Sequence, residues 1–150
     1  MEYGSIEREI HVAASPEVVF EVVSRPEHIA QWWTDDAGFE PVPGAIGEFV
    51  WGEREQVAPM SVVEVDPPRL FSFRWCYPGD TVDDSAGSLL VTFELTAVGD
   101  GTRIRLTETG FREMGWADAL AQAEHREHVT GWDLYLPRLG EYVTRLVSTR

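Results

Sequence analysis

The residue with the most chemistry to offer is Glu108. Residues 102–108 alternate, with Ile104 and Leu106 on one side and Arg103, Arg105 and Thr107 on the other. The same period of two turns Glu108 inward at the end of its strand, near Phe111. A carboxyl placed there without a partner is a candidate general acid or base. The plainer expectation is a strand-end carboxylate paired with an arginine or water. Around it, Trp33, Phe49, Trp51, Phe71, Phe73, Trp75, Phe93, Phe111, Trp116 and Trp132 all take inward positions. Any one of these rings could simply fill a core. Together they exceed what one covering helix would bury, which favours a cavity with aromatic walls. Tyr135 and Leu136 would face it from the C-terminal helix, and Arg8 is a second polar group of inward parity.

Other reactive side chains carry less. In the run EHREH, His125 and His128 lie one helical turn apart beside Glu124 and Glu127. The histidines are three apart rather than the four of H-E-x-x-H, and no third ligand is placed, so no metal is expected. The expected alternative is a solvated first helical turn whose glutamates favour the helix dipole. Cys76 has outward parity beside Arg74, whose charge would favour a thiolate, yet a lone cysteine on a strand is usually inert. There is no G-x-S-x-G elbow and no glycine-rich phosphate loop, and no cofactor is expected.

Strands and one long helix must position these groups. Over residues 124–147, Val129, Trp132, Leu136, Leu139, Val143 and Leu146 form the apolar stripe of an amphipathic helix. Pro137 interrupts it, and a kink or break is expected there. Gly131 and Gly140 leave gaps for close backbone approach or for a cavity. Before that helix, residues 6–12 read as a strand. Ser15-Pro16-Glu17 opens a helix with a serine cap, and a second short helix starts at Pro26. Residues 34–47 read as a loop. Strands follow at 46–52, 57–65, 70–77, 87–95 and 102–108, with Asp66-Pro67-Pro68 and Gly99-Asp100-Gly101 as turns. Phe71, Phe73, Trp75 and Tyr77 share one face, and residues 78–86 form an acidic loop. The adjacent Val62 and Val63 leave the inward side of 57–65 ambiguous. The order predicts an α+β fold, one curved antiparallel sheet of about six strands around a long C-terminal helix.

The chain has 150 residues, and residues 1–150 are expected to form one domain without disulfide or metal. A net charge of -14 argues against nucleic acid and anionic membrane as partners. All twelve Lys+Arg residues are arginine, so no lysine Schiff base or phosphate-loop lysine exists, and a GC-rich bacterial source is suggested. The absence of a signal segment or an apolar run of membrane length predicts a cytoplasmic protein.

SVVEVDPPRLFSFRW, residues 61–75, resembles the family named for the activator of the ninety-kilodalton heat-shock protein ATPase, within the START-like or SRPBCC superfamily. IEREIHVAASPEVVFEVVSRPEHIAQWW, PGAIGEF, LTETGF and the Gly131-Trp132 pair match in the same order. The resemblance implies a helix-grip fold with an apolar cavity between sheet and helix, used in the superfamily for lipids, polyketides and hormones, and in a minority for cyclase or hydrolase chemistry. It does not imply a co-chaperone, since the eukaryotic activators carry a separate N-terminal domain. Three functions remain: binding of a hydrophobic small molecule, a cyclase- or hydrolase-like enzyme in the same cavity, and a protein-partner module. A homodimer is among the assemblies left open. A pocket-facing histidine or a buried, unpaired Glu108 would favour the enzyme. An all-apolar pocket would favour binding alone, and a filled core with an exposed apolar patch would favour the partner module.

Overall fold

The computed structural model describes residues 4–76, 88–111, 114 and 116–148. β1 (Ile6–Val12) leads into α1 (Pro16–Ser24) and α2 (Pro26–Trp32). Ser15 caps α1 as its residue types predict, its hydroxyl accepting from the Val18 N–H at 3.3 Å. Then come β2 (Asp36–Gly38), β3 (Ile46–Trp51), β4 (Gln56–Asp66), β5 (Leu70–Trp75), β6 (Leu89–Val98), β7 (Gly101–Thr109) and the helix α3 (Asp118–Ser148). Tyr77, the residues 78–86 read as an acidic loop, and Gly87 lie outside the described residues.

All seven strands form one antiparallel sheet in the order β1-β7-β6-β5-β4-β3-β2. The first strand therefore closes beside the last, and α1 and α2 cross from one edge of the sheet toward the other. The concave face carries the alternating apolar residues, with Phe49, Phe71, Phe73 and Phe93 fully buried. α3 lays Trp132, Leu136, Leu139 and Val143 onto them. On the outer face of the β1–β7 pair, Glu7 meets Arg105 and Glu9 meets Arg103. Such exposed pairs stabilise by under about 1 kcal/mol each, so the fold rests on the burial beneath them.

Three expectations are corrected and one ambiguity is resolved. The segment 34–47 is not all loop: Asp36–Gly38 pairs with β3, from Asp36↔Val50 to Gly38↔Glu48, and this adds the seventh strand. The ambiguity at Val62-Val63 is a β-bulge between Val62 and Glu64 in the β4–β5 register. It leaves Ala58, Met60 and Val62 buried and Val63 exposed. Cys76, of outward parity, is buried at the end of β5. Lastly, α3 runs for 31 residues through Pro137 without a break, about 46 Å long. Pro137 and Asp133, whose carbonyl the missing N–H releases, are both exposed, so water can take that carbonyl.

One glycine fixes the added strand. A Cβ at Gly47 would stand 2.1 Å from the Gly38 carbonyl oxygen and 2.5 Å from the Phe39 Cβ. Gly47→Ala is therefore expected to push β2 off β3 and destabilise the protein by about 1–3 kcal/mol in urea unfolding. An unchanged midpoint would mean that β2 does not sit against this residue.

Candidate functional site

Three elements meet at one end of the sheet. β5 ends in Trp75, β7 places Glu108 two strands away near its own end, and α3 crosses above with His128 and Trp132. Glu108 is fully buried. Its Oε2 accepts from the Trp75 indole N–H at 2.9 Å, and its Oε1 accepts from the Trp132 indole N–H at 2.9 Å. His128 Nδ1 lies 2.9 Å from the same Oε1. An indole nitrogen only donates, so both carboxyl oxygens act as acceptors. With Glu108 ionised, the bond to Oε1 is donated by His128 Nδ1. One buried carboxylate holds two tryptophans and a histidine in fixed orientation. The expected partner, an arginine or water, is replaced by these three ring donors.

Beside this network lies a cavity of about 470 Å³. Trp33, Trp51, Gln56, Ala58 and Trp75 line it from the sheet side, and Glu124, Glu127, His128, Gly131, Trp132 and Tyr135 line it from α3. The helical set is spaced 3, 1, 3, 1, 3, so it is one face of α3, continuing the apolar stripe toward the N-terminus in more polar residues. The rings interlock. Trp33 contacts Trp51, Trp75 and Trp132 at centroid distances of 5.9, 5.3 and 5.1 Å, and Trp75 contacts His128 at 5.4 Å. At the far end of the helix, His28 Nδ1 and the Tyr142 hydroxyl lie 2.6 Å apart and tie α2 to α3.

Of the residues singled out in the sequence, Trp33, Trp51, Trp75, Trp132 and Tyr135 line the cavity. Phe49, Phe71, Phe73, Phe93, Phe111 and Leu136 are buried in the core beneath and beside it, and Trp116 is half-buried against that core. Glu108 does not line the cavity; it stands one layer behind Trp75, Trp132 and His128. Arg8 is corrected outright. Its Nε donates to Asp133 on the outer side of α3 at 2.7 Å, a bond that holds the guanidinium above its usual pKa. The run EHREH is corrected too: α3 begins at Asp118, so these residues are not its first turn, and the His128 side chain is only 10% exposed. Among the described residues no group of three or more His, Cys, Asp or Glu side chains is placed to hold a metal ion.

Gln56, Ala58, Glu124, Glu127 and His128 line the cavity beyond the residues that the sequence pattern assigns to it. Two of them carried a usable signal. His128 precedes Trp132 by four and Glu124 precedes His128 by four, which puts all three on one helical face. Ala58 was obscured by the bulge, which leaves the inward side of 57–65 undecided, and Gln56 precedes that predicted strand.

The sequence matches the family described as activator of Hsp90 ATPase homolog 1-like protein over residues 13–144. The chain belongs to this family. No curated protein matches it. Among solved structures it is similar to protein MLL2253 from Mesorhizobium loti, with TM-score 0.77, 22% identity, and 94% of this chain and 97% of that one covered. It is similar to DynU16, from the dynemicin biosynthetic locus, with TM-score 0.76 and 21% identity over 94% of this chain and 47% of that one. A third is the Aha1 dimer from Colwellia psychrerythraea, with TM-score 0.68 and 21% identity over 93% and 95% of the two chains. At such identities these neighbours share the fold and nothing finer. The chain thus has a START-like, helix-grip fold, and no helix among its described residues is long and apolar enough to cross a membrane.

Proposed function

We propose that this member of the family binds a ring-bearing, largely hydrophobic small molecule between the sheet and α3. The observation that carries the reading is the cavity itself: its volume of about 470 Å³ falls within the roughly 300–1,000 Å³ of small-molecule sites. Four of the chain's six tryptophans line it. Fixing four large rings around a void forgoes the dispersion contacts a filled core would give, a cost a ligand would offset. The neighbour from the dynemicin locus is consistent with small-molecule chemistry on this fold, but at its identity it adds no residue. A partner module fits less well, because among the described residues the exposed large apolar side chains are spread over the loop before β3, β3, β4, β6 and α3.

The test is tryptophan fluorescence during titration with the neutral hydrophobic probe phenylnaphthylamine, beside native mass spectrometry of protein from its own host. A saturable change at micromolar probe is expected, weakened at least about tenfold, or 1.4 kcal/mol, by Trp51→Ala. A protein that carries no small molecule and gives no saturable signal would leave the rings as core and overturn the reading.

A second reading rests on His128, which lines the cavity and is oriented from behind by a buried carboxylate. That arrangement suits a general base acting on an acidic proton of the bound molecule. On this reading His128→Gln lowers turnover of an identified ligand by about 10²–10⁴-fold. An unchanged rate would remove His128 from any chemistry.

A further inference from the structure

Resting on the reading that the cavity holds a small molecule, we infer that its ligand is a cation, an organic ammonium seated among the tryptophans. The walls select for charge. Indole is the ring with the strongest attraction for an ammonium on its face, and Trp33, Trp51, Trp75 and Trp132 surround one space with Tyr135 beside them. Two of these indoles are also polarised from behind. Trp75 and Trp132 donate their N–H groups to the Glu108 carboxyl, and such a bond pushes electron density into the ring and strengthens its hold on a cation. The same bonds occupy the donors that an anionic or carbonyl-bearing ligand would need from those two walls.

The remaining charges agree. Glu124 and Glu127 line the cavity, none of the described lining residues is an arginine, and the chain has no lysine at all. Glu127 is exposed, so it stands where the cavity meets solvent and where an incoming cation first encounters charge. With a net charge of -14 the whole surface draws cations and repels carboxylate ligands such as fatty acids. A merely greasy pocket needs neither the carboxylates at its edge nor one buried behind its walls.

Benzyltrimethylammonium and its uncharged isostere neopentylbenzene have nearly the same shape and differ in charge. Each is titrated into the full chain, read directly by tryptophan fluorescence and by displacement of phenylnaphthylamine. The cation is expected to bind about tenfold or more tightly than the isostere, and Glu127→Gln to reduce that ratio several-fold. Saturable probe binding with equal affinities, or with the neutral compound tighter, would overturn the cation inference and leave the small-molecule reading standing. If neither compound nor the probe binds, both fall together.

Discussion

Glu108→Ala is expected to lower the unfolding free energy by about 3–5 kcal/mol, which at this chain length moves the melting temperature down by roughly 6–20 °C. The size follows from what the substitution leaves behind. Glu108 is fully buried and is the acceptor for Trp75, Trp132 and His128, each at 2.9 Å. Removing it strips two buried indoles and one part-buried imidazole at once, and each loses the bond that offsets its desolvation. It also empties volume beneath two of the largest side chains in the protein. Glu108→Gln separates these effects. The amide keeps the volume and one acceptor oxygen but turns an NH₂ toward a donor, so about 1–3 kcal/mol is expected. Urea unfolding of both variants reads the difference. A loss under about 1 kcal/mol for the alanine variant would mean that the three-way network is not formed in solution.

The sequence made half of this network legible. Alternation along β7 placed Glu108 inward because a strand's period is rigid, and alternation along β5 did the same for Trp75. What alternation cannot show is which inward groups meet. Glu108 and His128 belong to a strand and a helix whose relative placement is set by packing along the whole of α3. Only the spacing of His128, four residues before Trp132, hinted that it shared the buried face. The bulge in β4 obscured Ala58 for the opposite reason: it is a local departure from the period on which such reading depends, and it leaves the inward side of 57–65 undecided. β2 lacked any sequence signal, because three residues cannot show a period. Its pairing is conferred by β3 and by the missing side chain of Gly47. Pro137 does not break α3, as a proline can break an isolated helix. Leu136 and Leu139, buried on either side of it, hold α3 against the sheet, while the lost hydrogen bond falls on the exposed side.

Gly131→Leu is expected to stabilise the fold and, on the small-molecule reading, to weaken probe binding. A glycine within a helix costs about 1 kcal/mol relative to a good helix former, so α3 is weaker for having one in its middle. No crowding requires it. A Cβ at Gly131 would meet only the Tyr135 ring, at 3.9 Å, whereas one at Gly101 would stand 2.4 Å from the Val12 carbonyl oxygen. Gly131 does line the cavity, and a side chain there would lean toward the helix N-terminus, over the turn that carries Glu127 and His128. Leucine at this position therefore fills space that the ligand would occupy, and phenylnaphthylamine affinity should fall by at least about tenfold, or 1.4 kcal/mol. Gly140 provides the comparison. Its Cβ would meet only Val12 Cγ1, at 3.9 Å, and it is not a cavity residue. Gly140→Ala should gain about 1 kcal/mol of stability with probe binding unchanged. If Gly131→Leu binds the probe as the unaltered protein does, the site lies elsewhere and the cavity beside Glu108 is structural. If it gains stability while losing the probe, the glycine marks a place where helix stability is exchanged for room to bind.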